Sequence, residues 1–385
     1  MVIVLLACAV LAQQGRIANQ GGSWSQDNSG NVPFAKNLRI KSEAGSSVRI
    51  VGGNDQGITY VFHSTVYTSS EEKARRQLDS AQVSTGLRGD TAYITVENAT
   101  GNRCTAELVV NVPRSMQSVK VESDGGNVAV TGITGSVSAD TGGGSIKIDD
   151  IGGSVAAQTG GDAIEVGTVG GNVSLETGGG RISVRDVKGK IAATTGGGDI
   201  LISSGAQGAT LEAGGGNITV KQCTGKVRVS TGGGNIELGD IAGPVEMETG
   251  GGSIRLASSR SWVRAETGAG RIELNGIAAA RAETGAGGIV AKFTSPNADK
   301  TDSSLETAAG DIIVYIAPAL ALSIRASIDL ANGHTIRSDF PDIHINSEGG
   351  DWGPRTISAE GNLNGGGPTL KLSTTTGDIR ILRAQ

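Results

Sequence analysis

Through the middle of the chain, apolar residues return at fixed places. A corner reading Thr-Gly-Gly-Gly recurs at Thr141, Thr177, Thr195, Thr231 and Thr249, with looser versions at Ser123, Thr159, Ala213 and Thr267. Five residues after each corner's first position stand Val128, Ile146, Ile164, Ile182, Ile200, Ile218, Ile236, Ile254 and Ile272, all β-branched. Two further on come Val130, Ile148, Val166, Val184, Ile202, Val220, Leu238, Leu256 and Leu274, while Lys147, Glu165, Ser183, Glu237 and Arg255 fall between them. Alternation of period two predicts a short strand with one face inward. A second strand follows in each repeat, with Val137, Val155, Val173, Ile191, Val227, Val245 and Val263 in one inward column. The spacing holds at 18 residues from 123 to 267 without an insertion.

An exact period with in-register columns predicts an all-β fold, a parallel β-solenoid (β-helix) whose coils stack about 4.8 Å apart. The glycines belong at its corners, where φ > 0 or close backbone approach excludes a Cβ. Each glycine of the triplet, Gly197 for instance, is therefore expected to resist a side chain. Column position also sends Cys223 inward, as a small apolar residue beside Val187 and Ile241, so that a disulfide with Cys104 is not expected.

Outside the regular coils the period fails. Residues 32–122 carry Phe34, Tyr60, Phe62, Tyr67 and Tyr93 and four longer strand patterns, with a short helix predicted over 71–78; they read as a β-rich N-terminal cap. Residues 123–294 are the regular solenoid, and 295–385 are irregular coils and a C-terminal cap. Residues 13–31, rich in Gln, Asn, Ser and Gly, read as a flexible tether. Residues 1–12 form an uncharged apolar run with a small-residue end at Val10-Leu-Ala12, which predicts a cleaved signal peptide. Within it, Leu5-Leu-Ala-Cys8 is similar to a lipobox, an alternative that makes Cys8 a lipid anchor.

Asn111-Val-Pro-Arg114, the units Gly132-Ile-Thr-Gly-Ser-Val137 and Thr195-Gly-Gly-Gly-Asp-Ile200, and the closing Thr376-Gly-Asp-Ile-Arg-Ile381 together resemble the bacterial putative-adhesin domain, over about residues 33–385. The resemblance implies a β-solenoid in an exported or envelope protein. It implies no catalytic residues.

Composition sharpens this picture. Gly supplies 62 of 385 residues, against an ordinary share of about 7 per cent. The net charge of -5, without a basic run, removes the electrostatic footprint of a nucleic-acid binder. No later segment is long and apolar enough for a membrane helix.

Candidate chemistry is sparse, and no cofactor is implied. A calcium ladder needs a carboxylate at one fixed place in each repeat. The post-turn column instead reads Asn127, Ser145, Ala163, Arg181, Asp199, Asn217, Asn235, Ser253 and Arg271, and two arginines oppose a cation. A second column, Asp140, Gln158, Glu176, Thr194, Glu212, Ser230, Glu248 and Glu266, places most carboxylates on alternate coils, which relieves repulsion. The one binding cluster is His334, Asp339, Phe340, Asp342, His344 and Trp352, gathered within about twenty residues. His63 sits in a strand pattern with no visible partner.

The sequence thus reads as an exported, non-enzymatic scaffold of the cell envelope or surface, an adhesin binding a glycan or protein partner through extended faces. A carbohydrate-active β-helix enzyme and a self-assembling envelope protein are the competing readings.

Overall fold

The computed structural model describes residues 13–43, 46–54, 56–97, 104–294, 300–348 and 355–384. The leader reading of residues 1–12, Cys8 with it, and Trp352 lie outside the described residues. The chain forms two compact units, Met1–Gly189 and Lys190–Gln385. Each is a parallel β-solenoid.

In the first unit every regular coil contributes one strand to each of two sheets. Val128, Ile146, Ile164 and Ile182 lie in register down one sheet, and Val119, Val137, Val155 and Val173 down the other. All eight are buried, as the columns predict. In the second unit the ladder runs Ile200, Ile218, Ile236, Ile254, Ile272, Ile289 and Ile312, with a bulge between Leu274 and Ile277 where one repeat loses a residue. Cys223 is inward and 3% exposed.

The corner threonine is more than punctuation. Its side chain is buried, and its hydroxyl donates to a carbonyl of the preceding coil's corner: Thr141 to Gly126, Thr159 to Gly144, Thr231 to Gly216, Thr249 to Gly234, all at 2.7–2.8 Å. The same oxygen accepts the N–H three residues on, Gly234 for Thr231 and Gly252 for Thr249. One hydroxyl therefore closes its own turn and ties it to its neighbour, satisfying groups that burial makes costly to leave unpaired. Ala213 replaces this residue once and makes neither bond.

Close approach, not positive φ, fixes the corner glycines, and only two of each three need it. A Cβ on Gly214 would overlap the carbonyl of Gly196, and one on Gly216 that of Gly198, whereas one on Gly215 meets nothing within 4 Å. The same holds at the middle glycine Gly197, so the expectation that it resists a side chain is corrected.

At both ends stack order departs from chain order. In the first unit the coil Asn37–Ser42 and Ser46–Gly53 pairs with the coil beginning at Ser118 on one side. On its other side lies Thr91–Glu97 with Cys104–Pro113, which the chain makes later. Antiparallel strands then cover the end: Gln82–Arg88 on one sheet, and Ile58–Tyr67 followed by Ser23–Val32 on the other. The helix Glu71–Ser80, capped by the Ser70 hydroxyl accepting from the Lys73 N–H, buries Ala74 and Leu78 against these strands.

The tether reading of residues 13–31 is also corrected. Ser23–Val32 is a ten-residue strand paired antiparallel with Ile58–Tyr67 over its whole length, and Trp24 Nε1 donates to the Thr68 carbonyl at 3.0 Å. Its polar composition reads as a linker, but a paired strand needs backbone partners more than apolar side chains, and Ile58–Tyr67 supplies them.

In the second unit, the coil Ser303–Ala309 and Ile312–Ile316 is followed in the stack by Thr369–Thr376 and Ile379–Arg383, the last strands of the chain. Leu322–Ile328 and Ile336–Ser338 stack beyond them. Thr356–Leu363 and then Ile343–Glu348 add antiparallel strands outside. Leu370, Leu372, Ile379 and Ile381 are accordingly 0% exposed.

Candidate functional site

The outer faces carry the polar residues, and their register decides what each can do. In the post-turn column, side-chain oxygens are already engaged. Asn127 Oδ1 accepts the Ser145 N–H at 2.9 Å, Asp199 that of Asn217, Asn217 that of Asn235, and Asn235 that of Ser253. The ladder resumes near the C-terminus, where Asp311 accepts from Asp378 and Asp378 from Thr335. These amides and carboxylates stitch coil to coil. Among the described residues no group of three or more His, Cys, Asp or Glu is disposed around a metal ion.

The acid column differs from its alternating description in the second unit. Glu248, Glu266, Glu283 and Glu306 are direct neighbours on four consecutive strands. The column escapes notice because the repeat shortens to 17 residues after Thr267 and lengthens to 23 before Thr307. Repulsion is relieved sideways instead. Two residues earlier on the same strands stand Arg264 and Arg281, and ion pairs join Arg264 to Glu266 at 2.6 Å and Lys371 to Glu306 at 3.0 Å. Hydrogen bonds from Ser304 and then Lys371 hold the Glu306 carboxyl below its ordinary range, against the opposing effect of burial. Lys226, at 2.6 Å, does the same for Glu246.

The sequence cluster at 334–352 is spread among separate partners. His334 Nδ1 lies 3.6 Å from Asp378 Oδ1. Asp339 Oδ2 accepts the Arg383 N–H at 3.1 Å, and the Arg383 guanidinium sits 5.3 Å over the buried Phe340 ring. Asp342 and His344 are exposed, with His344 on the outermost strand opposite Glu360. His334 and Asp339 thus face the inserted last coil; the signal was Asp378 in the closing Gly-Asp-Ile, distant in sequence.

A shallow groove of about 580 Å3 on the first unit holds what sequence reasoning missed. Its floor is built from outward residues of neighbouring strands, among them Arg49, His63, Thr65, Thr105, Glu107 and Lys147. His63 is not without a partner. Asp27, its cross-strand neighbour, places Oδ1 2.5 Å from His63 Nδ1, and Thr65 Oγ1 lies 3.1 Å from His63 Nε2. On the other side Glu107 stands opposite His63 and pairs with Arg49 at 3.0 Å. Reading 13–31 as a tether removed Asp27 from any strand, and so hid the constellation.

No family profile and no curated protein matches the chain. Among solved structures it is similar to a putative adhesin from Bacteroides fragilis NCTC 9343, at 13% identity over 62% of this chain and 98% of that one, with a TM-score of 0.33. It is similar also to a putative adhesin from Parabacteroides distasonis ATCC 8503, at 14% identity over 78% and 94%, TM-score 0.31. A putative cell adhesion protein from Clostridium sporogenes ATCC 15579 shares 9% identity over 94% and 100%, TM-score 0.19. Scores this low carry no functional argument, and the solenoid rests on the strand register itself.

Proposed function

We propose that the protein is an exported, non-enzymatic scaffold of the cell envelope or surface, an adhesin-type module that binds a glycan or protein partner through its outer faces. The observation that carries this reading is the in-register row Glu248, Glu266, Glu283 and Glu306 beside Arg264 and Arg281. Charged groups repeating at about 4.8 Å on a sheet suit a partner that is itself extended, with affinity spread over many exposed contacts that are each weak. The apolar leader of residues 1–12 supports export, and Cys8 supports a lipid anchor. The 334–352 cluster, with His334, Asp339, Asp342, His344 and Trp352, is a secondary candidate contact region.

The test is a glycan and envelope-protein array probed with the full chain, with cell fractionation alongside. Binding that falls with rising salt and is lost in Glu266→Lys/Glu283→Lys is the expected result. Salt-independent binding that survives both substitutions, or turnover on a polysaccharide panel, would overturn it.

A further inference from the structure

The Asp27, His63 and Thr65 constellation has an internal logic beyond a binding face. A carboxylate at Nδ1 accepts a hydrogen bond from the ring N–H there and so fixes the tautomer whose Nε2 bears the lone pair. That lone pair is turned toward the Thr65 hydroxyl, 3.1 Å away. Asp27 is held by ladder pairing across from His63, and Thr65 is on the same face as His63 because it lies two residues along one strand. All three positions are therefore set by a rigid sheet. Carboxylate, imidazole and hydroxyl stand in the order that activates an alcohol as a nucleophile.

We propose that Thr65 is an acyl-accepting nucleophile, with His63 as its base and Asp27 as the positioning residue. As Thr65 Oγ attacks the carbonyl carbon of an ester, its proton passes to His63 Nε2. Collapse of the tetrahedral species breaks the bond to the leaving alcohol, which takes that proton from the imidazolium. The acyl group stays on Oγ as a new ester, and His63 returns to its starting form. The Asp27 carboxylate takes no part in the bond changes; it holds the ring and stabilises the transient imidazolium.

The surroundings restrict the donor. Backbone N–H groups of these strands are used in the ladder, so the developing oxyanion is left to side-chain donors such as the Thr105 hydroxyl, opposite Thr65, and Arg49. Loss of a single oxyanion donor costs about 10²–10³ in rate in a developed hydrolase. The substrate class is therefore an activated ester with a good leaving group, and the outcome is acylation of the protein in place of rapid turnover. This function is separate from the charged rows of the second unit and does not depend on them.

The full chain is incubated with p-nitrophenyl acetate, and peptides are mapped by mass spectrometry. An acetyl group on Thr65 is expected, formed faster than on the neighbouring Thr59 and Thr105. His63→Ala and Asp27→Asn each lower that rate at least about tenfold. Thr65→Val abolishes it, while Thr65→Ser and Asp27→Glu recover most of it. Because His63 and Asp27 are exposed, melting curves of their variants should overlay the parent. Acetylation of Thr65 at the same rate in His63→Ala, acetyl found on His63 alone, or no label at Thr65 would overturn the proposal.

Discussion

The regular coils and the coils at the two ends use the same bricks in different order. Between Ser118 and Val187, and again from Ile191 to Phe293, each coil stacks on the one made just before it, and contacts stay 18 or so residues apart. In the first unit the coil 37–53 lies between two coils that the chain makes after it, and in the second a slot between earlier coils is filled by the last one. The pairs Leu38 with Ala92 and Ile324 with Leu370 join strands about fifty residues apart. The lesson is that periodic columns specify what a coil is made of, and only pairing across a long excursion specifies where an end coil goes. The device also places the chain's last strands inside a stack; on one sheet antiparallel strands take the edge, and on the other the edge is the three-residue strand Ile336–Ser338, short enough to offer little to end-to-end association.

The sharpest way to break the comparison is to remove the inserted coil. Deleting residues 369–384 takes away four fully buried aliphatics and, on each of the two sheets, the outer neighbour of the coil 303–316. The second unit should lose its cooperative melting transition. Within the coil, Ile381→Ala should cost about 2–5 kcal/mol, as much as Ile236→Ala in a regular coil. Equal costs, measured by denaturant melts, mark the last strand as interior.

Next in size are the corners. Gly216→Val should cost about 3 kcal/mol, because its side chain collides with backbone that cannot move away. Gly215→Ala should stay within about 1 kcal/mol of the parent, and either sign is permitted, since it lies in open space. Thr249→Val removes both hydroxyl bonds and should cost about 1–3 kcal/mol. Ala213→Thr, which restores them to Gly198 and Gly216, should gain about 1 kcal/mol.

The smallest effect is a pH dependence in the first unit. Burial pushes the Asp149 carboxyl up, but hydrogen bonds from the Thr168 N–H, the Arg185 guanidinium and the Asp150 N–H outweigh it, leaving it below its ordinary 3.8. A depressed carboxylate adds stability above its unfolded value and loses it as the pH falls through the folded one. Between about pH 5 and pH 3 the parent should therefore lose more stability than Asp149→Asn, by less than about 1 kcal/mol because the pair is exposed.

How much of this was legible in the sequence follows the same division. The columns led directly to the buried Ile146, Ile164 and Ile182 and to the inward Cys223, and outside them the helix predicted over 71–78 is found at Glu71–Ser80. The hydroxyl of the corner threonine was visible as a repeated letter, but its two bonds run to atoms of the adjacent turn, which a one-dimensional pattern does not carry. The continuation of the acid column from Glu248 and Glu266 to Glu283 and Glu306 was hidden by changes in repeat length. His63 and Asp27 meet only because Ser23–Val32 pairs with Ile58–Tyr67, and His334 meets Asp378 only because the last coil is inserted. Contacts set by long-range pairing leave no local trace.

The central claim, that stack order departs from chain order at the C-terminal end, is tested most directly by disulfide trapping on the outer face. Neighbouring strands put Ser304 beside Lys371, and Lys371 beside Arg325, at a spacing a disulfide spans. The cysteine pairs Ser304→Cys/Lys371→Cys and Arg325→Cys/Lys371→Cys should each cross-link under mild oxidation, and Ser304→Cys/Arg325→Cys should not. Efficient cross-linking of 304 to 325, with none to 371, would show coils stacked in chain order and would contradict the account.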